Sequence, residues 1–128
     1  MLKKKLGPEA IERNWSVRHN CLIDYFKIPP TLIIPEGVES IGYHALCYSN
    51  LKKVVIPGSV KYIGPCAFWK CKKLEEVIIS ESVKRIGYEA FYYCSNATII
   101  LKKRREDFEK IGLNAFAGCN DVKEEIRS

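Results

Sequence analysis

The dipeptide Ile-Gly occurs four times, at Ile41-Gly42, Ile63-Gly64, Ile86-Gly87 and Ile111-Gly112, with spacings of 22, 23 and 25 residues. A recurrence at that interval marks a stack of similar units, each too small to bury its own apolar face and therefore dependent on its neighbours. The surroundings recur with it. Val38, Val60, Val83 and Phe108 stand three residues before the Ile; Ala45, Ala67, Ala90 and Ala115 stand three after the Gly; Leu46, Phe68, Phe91 and Phe116 come next. Ser49, Cys71, Cys94 and Cys119 lie four past the Ala, and a short apolar run then begins at Leu51, Leu74, Ala97 or Val122. One such dipeptide would carry no information, but this frame in four copies leaves a solenoid as the architecture.

The frame resembles the BspA-type leucine-rich repeat. The second copy carries the likeness most fully, with Ile56-Pro57-Gly58-Ser59-Val60-Lys61-Tyr62-Ile63-Gly64 followed by Ala67-Phe68-Trp69-Lys70-Cys71-Lys72-Lys73-Leu74. The resemblance spans roughly residues 31 to 125 and implies about four coils of some 23 residues. It also implies a short parallel β-sheet on one face and short helical turns on the other. Leu74, Val77 and Ile79 then point into the coil, leaving Glu76, Ile78 and Ser80 on the sheet face. The Gly suits a bend so close-packed that a Cβ would collide, and the Ala four residues past each Ile sits on one face of the expected helical turn. Pro65 falls where a missing N–H costs nothing. Phe68, Phe91 and Phe116 are expected to form an aromatic ladder, and Cys71, Cys94 and Cys119 to be small buried hydrophobes stacked coil on coil.

Departures from the frame are informative. The first copy has Leu46 for Phe, Ser49 for Cys and one residue fewer. The third is two residues longer and carries Lys102-Lys103-Arg104-Arg105-Glu106-Asp107 in its link, which reads as a protruding basic loop. Residues 1–30 do not match. Pro8 to Trp15 can form a short amphipathic helix and Cys21 to Phe26 a strand, together an N-terminal cap over an otherwise open edge. Residues 126–128 are read as a polar tail.

With 47% hydrophobic and 28% charged residues, the chain can build a core. Its formal charge of +6 is uneven: residues 52–105 carry +8, residues 106–128 carry −3 and residues 1–51 carry +1. No apolar run is long enough to span a membrane, and the segment after Lys3-Lys4-Lys5 lacks an export signal's apolar stretch. Reduced thiols and a cytoplasmic setting are expected, the alternative being a secreted or cell-surface location if the chain is part of a larger exported protein. Cys21, Cys47 and Cys66 have no place in the frame, and adjacent coils would bring sulfurs within several Å in an oxidising compartment.

No catalytic set emerges. The two histidines are His19 and His44; His44 and Cys47 are three apart, but no orienting acid accompanies them. A zinc site would require Cys66-x4-Cys71 and His44 with Cys47 to align across coils, while Cys71 already has a core role. No phosphate-binding or dinucleotide fingerprint is present, so neither catalysis, metal nor cofactor is expected.

What remains is surface. The family resemblance implies protein binding and adhesion through the sheet. In repeat phase, Ile33, Val55 and Ile78 form an apolar ridge across three strands, with Lys53 and Glu76 beside it and Lys102, Lys103, Arg104 and Arg105 on the loop. Such a sheet offers on the order of 350 to 400 Å². A standard interface takes about 800 Å² per partner, so a protein partner must also touch the loop, the cap or the convex side, or two copies must pair. Two alternatives use the same basic mid-chain region: occlusion of a larger nucleic-acid-handling protein, and direct nucleic-acid binding through clustered cations. For the latter, Tyr62, Trp69, Tyr92 and Tyr93 stand near enough to stack on bases.

Overall fold

The computed structural model describes residues 30–126 in full, with the backbone of residues 15–18 and 21–25. Among the described residues eleven strands follow in chain order: β1 (Trp15–Arg18), β2 (Cys21–Tyr25), β3 (Thr31–Ile33), β4 (Ser40–Ile41), β5 (Lys53–Ile56), β6 (Tyr62–Ile63), β7 (Glu76–Ile79), β8 (Arg85–Ile86), β9 (Thr98–Leu101), β10 (Lys110–Ile111) and β11 (Asp121–Glu124). They wind into a solenoid with two sheets. One is parallel throughout, in the order β3-β5-β7-β9-β11; the other runs β1-β2-β4-β6-β8-β10, parallel from β2 onward, with β1 added antiparallel. The strand expected near Cys21 is present, whereas the expected helix over Pro8–Trp15 lies outside the described residues.

The core is the repeat frame itself. Leu74, Val77, Ile79, Val83, Ala90, Phe91, Cys94 and Ala97 are fully buried. Each equivalent set stacks coil on coil, so an apolar side chain is covered above and below by its own kind. Phe68 and Phe91 stack with centroids 4.9 Å apart, and Phe91 and Phe116 at 5.9 Å. The cysteine column does more than fill space. Cys71, Cys94 and Cys119 donate from Sγ to the carbonyls of Leu46, Phe68 and Phe91 at 3.1, 3.0 and 3.1 Å. Ser49, a small donor replacing Cys in the first coil, meets Cys71 Sγ at 3.2 Å.

Among the described residues, the short helical turns expected after each repeat Gly do not form. Left-handed backbone recurs instead, at His44 and Tyr48, Cys66 and Lys70, Glu89 and Tyr93, and Asn114 and Gly118, with φ between 51° and 79°. A left-handed residue costs roughly 1–2 kcal/mol without a glycine and stops a helix from propagating. The hydrogen bonds show what offsets it. In the second coil the N–H groups of Ala67, Trp69 and Cys71 close turns onto Gly64, Cys66 and Phe68, while those of Cys66, Phe68 and Lys70 reach the carbonyls of Tyr88, Ala90 and Tyr92 in the next coil. A helix would spend every N–H within its own segment; the tandem turns spend half of them joining coils.

Two length changes fall in the third copy. The link from Leu101 to Phe108 is three residues longer than that from Ile79 to Val83, while Ala97 to Leu101 is one shorter than Leu74 to Ile79. The shortening moves the register. Glu76 pairs with Thr98 and Ile78 with Ile100, and Val122 aligns with Ile99 rather than with Ala97 as the frame suggested.

Candidate functional site

The parallel sheet β3-β5-β7-β9-β11 presents the expected ridge. Ile33, Val55 and Ile78 are register partners on adjacent strands, as are Thr31, Lys53 and Glu76. Ile33 is 64% exposed while Val55 and Ile78 are half-buried, because an edge strand has one neighbour and an inner strand two. Lys53 Nζ and Glu76 Oε1 form an ion pair 3.0 Å long across β5 and β7, in line with the ridge. The ridge extends one strand further than the sequence indicated, to the nearly buried Ile100, and ends at Lys123. The one-residue shortening before β9 hides Ile100 from any fixed-frame alignment.

The basic loop is not an open cluster of cations. Lys102 Nζ meets Glu125 Oε1 at 3.2 Å; Arg104 contacts Glu106 at 3.4 Å and Asp107 at 3.3 Å. Hydrogen bonding and charge from Asp107 hold the Arg104 guanidinium above its already high ordinary value. Lys103 lies 4.5 Å above the Phe108 ring and the Arg105 guanidinium 5.7 Å from that of Phe116, while the Arg105 backbone N–H donates to Glu124 at 2.9 Å. A 3-10 turn at Arg105–Asp107 folds the segment back on itself. Each of the four basic side chains is therefore engaged within the molecule, by partners up to 23 residues away. Lys102, Lys103 and Arg104 line an open groove of about 1200 Å³ together with Ile78, Glu124 and Glu125. Arg105 lies outside the groove.

Tyr62, Trp69, Tyr92 and Tyr93, read from the sequence as near enough to stack on bases, belong to a larger aromatic surface that also takes in Tyr43, Tyr48 and Tyr88. Tyr43, Tyr48, Tyr62, Tyr88 and Tyr93, all substantially exposed, lie on the turns and short strands of three consecutive coils. Trp69 stacks on Tyr92 at 5.9 Å, meets Tyr48 edge-on at 5.3 Å and donates from Nε1 to Glu89 at 3.2 Å. The signal was present, since the residue after each repeat Gly is large or apolar in every copy: Tyr43, Pro65, Tyr88 and Leu113.

The candidate metal and catalytic groups do not converge. Among the described residues no three His, Cys, Asp or Glu side chains could hold a metal ion, and His44 stacks on Tyr43 at 3.8 Å. Cys47, Cys66, Cys71, Cys94 and Cys119 are all thiols. Burial, then the Glu89 and Cys47 charges, push Cys66 up; burial raises Cys119 to about 11; and the hydrogen bond with Cys71, followed by burial, raises Cys94. Cys71, lowered by its hydrogen bond with Cys94, is fully buried and so closed to a substrate. No described helix is long and apolar enough to cross a membrane.

A model of the BspA-type leucine-rich repeat region matches residues 19–125, in six copies. The chain belongs to the BspA-type leucine-rich repeat family. Three solved structures share the fold of this repeat protein. A leucine-rich repeat protein from Bacteroides capillosus ATCC 29799 has 27% identity and a TM-score of 0.69, over 84% of this chain and 86% of that one. A leucine-rich cell surface protein from Faecalibacterium prausnitzii A2-165 has 25% identity and a TM-score of 0.67, over 85% and 33%. A leucine-rich repeat protein from Bacteroides ovatus ATCC 8483 has 26% identity and a TM-score of 0.66, over 88% and 35%. The chain thus spans about a third of the length of two of these proteins. No curated protein matches it significantly. Leucine-rich repeats of this type are generally non-enzymatic and commonly bind proteins.

Proposed function

We propose that this BspA-type repeat protein is a non-enzymatic protein-binding module that docks its partner on the sheet β3-β5-β7-β9-β11. The observation carrying this reading is the in-register apolar ridge Ile33–Val55–Ile78, flanked by the Lys53–Glu76 pair and leading into the groove beside Lys102, Lys103 and Arg104. Apolar side chains held in a row on a rigid sheet, with charges at the rim, are the anatomy of a protein interface. The sheet area falls short of a standard interface, so the groove supplies the remaining contact. A second copy of the chain remains a second candidate for that face.

The charge arrangement supports a protein over a nucleic acid as partner. Phosphate binding needs cations free to replace counterions, and Lys102 and Arg104 already contact Glu125, Glu106 and Asp107. Direct nucleic-acid binding and occlusion of a nucleic-acid-handling protein both draw on the basic mid-chain region, and they weaken to the extent that this loop supplies its cations. The description of one structural neighbour as a cell surface protein favours an exported setting over the cytoplasmic one.

The test is retention of partners by the purified chain and by a Val55→Glu, Ile78→Glu double variant, at about 0.15 and 0.5 M salt, with and without nuclease. A protein retained by the wild type at both salt concentrations and lost from the variant supports the reading. Recovery abolished by nuclease or by salt would move the function to nucleic acid. Sedimentation of both proteins separates self-association from heteromeric binding.

A further inference from the structure

A second concavity lies along β6, β8 and β10, on the other sheet of the solenoid. A trough of about 690 Å³ crosses the second, third and fourth coils there. Its floor is the stacked glycine column Gly64, Gly87 and Gly112, in which each position must lack a Cβ. On Gly64 a Cβ would fall 2.7 Å from the Ile41 carbonyl oxygen, and on Gly87 2.7 Å from the Gly64 carbonyl carbon. The glycines let successive coils close up here, and a row of larger side chains stands on either side of them. Tyr62, Arg85 and Lys110 line one wall; Pro65, Tyr88 and Leu113 line the other.

We infer that this trough binds a proline-rich segment in the polyproline II conformation. The floor has no backbone groups to offer. The N–H groups of Gly64, Gly87 and Gly112 donate to Ile41, Ile63 and Ile86, each at 2.7 Å, and the glycine carbonyls accept from Ala67, Ala90 and Ala115 at 3.2 to 3.3 Å. An added β-strand would find no ladder here, whereas a polyproline II chain has none to satisfy.

The rim supplies donors. Arg85 and Lys110 only donate, and the tyrosine hydroxyls can. Glu109, the carboxylate beside them, is held by Arg85 at 3.4 Å. A ligand rich in carbonyls and poor in N–H groups matches that inventory, which is the composition of a proline-rich backbone. Tyr62 is further stiffened by Arg85, whose guanidinium carbon lies 4.7 Å from the ring centroid.

The spacing agrees. Neighbouring coils sit about 4.8 Å apart, so the second and fourth coils repeat at about 9.6 Å, and three residues of polyproline II advance about 9.3 Å. Equivalent faces of one ligand turn therefore meet Tyr62 and Pro65 in one coil, and Lys110 and Leu113 two coils on. Lys110 has no ion-pair partner among the described residues and selects an acidic residue at the neighbouring end of the segment.

The experiment is a fluorescence-anisotropy titration of the full chain with labelled nonaproline bearing one terminal aspartate, against a Gly-Ser peptide of equal length and charge. Saturable binding of nonaproline alone is expected, weakened at least tenfold by Tyr88→Ser and by Leu113→Asp. Both side chains are exposed, Leu113 by 77%, so an unchanged melting curve certifies the fold, and either variant decides if the other misfolds. Val55→Glu with Ile78→Glu leaves this affinity unchanged, which separates the trough from the sheet face. Equal binding of the Gly-Ser peptide, no nonaproline binding up to millimolar concentration, or full affinity in the Tyr88 and Leu113 variants overturns the inference.

Discussion

Phe68 and Phe91 lie 4.9 Å apart, centroid to centroid, with only 6° between their planes, although 23 residues separate them in the chain. Phe91 is fully buried and stacks on Phe116 on its other side. Phe91→Ala empties the middle of the ladder, where neither neighbour can collapse without moving its own coil. It should cost about 3–5 kcal/mol in urea unfolding. A loss below about 1 kcal/mol would mean that the ladder is not a source of stability.

The glycines separate close approach from ordinary turn chemistry. At Gly87 an added Cβ meets the backbone of Gly64 and Pro65, so Gly87→Ala must push two coils apart and should destabilise by about 1–3 kcal/mol or more. Gly58 has nothing within 4 Å of the same virtual atom, and its φ is not in the left-handed region. There an alanine restricts the unfolded chain and should stabilise by about 0.4–1 kcal/mol. Paired melting curves test both.

The raised Cys119 thiol predicts a loss of stability in alkali. Its value rises from 9.0 to about 11, first because burial disfavours the thiolate. The folded state therefore binds this proton more tightly than the unfolded state. The associated stability is fully present below pH 9 and declines as pH rises from about 9 to 11. Cys119→Ala should flatten that part of the stability curve, and an unchanged slope would assign the alkaline loss elsewhere.

Lys53 and Glu76 are each roughly 40% exposed, so solvent screens their 3.0 Å ion pair. A double-mutant cycle with Lys53→Ala and Glu76→Ala should return a coupling of about 0.2–1 kcal/mol, falling with salt. A coupling well above that range would show that the pair is needed to hold the sheet.

Within the described residues, the architecture and the inward-facing residues were legible in the sequence because they repeat. A column of Val60 and Val83, or of Ala67 and Ala90, records the same buried volume in each coil, and burial is a property a side chain carries with it. The ridge Ile33–Val55–Ile78 was legible for the same reason, as was the cysteine column. Three features depended on tertiary structure. The turns are left-handed rather than helical because hydrogen bonds between coils reward a conformation that no local propensity favours. Ile100 joins the ridge because strand pairing absorbs a missing residue that an alignment cannot see. Lys102 and the Arg105 backbone N–H are engaged because the chain returns one coil later with Glu125 and Glu124, and only folding determines which of these groups meet.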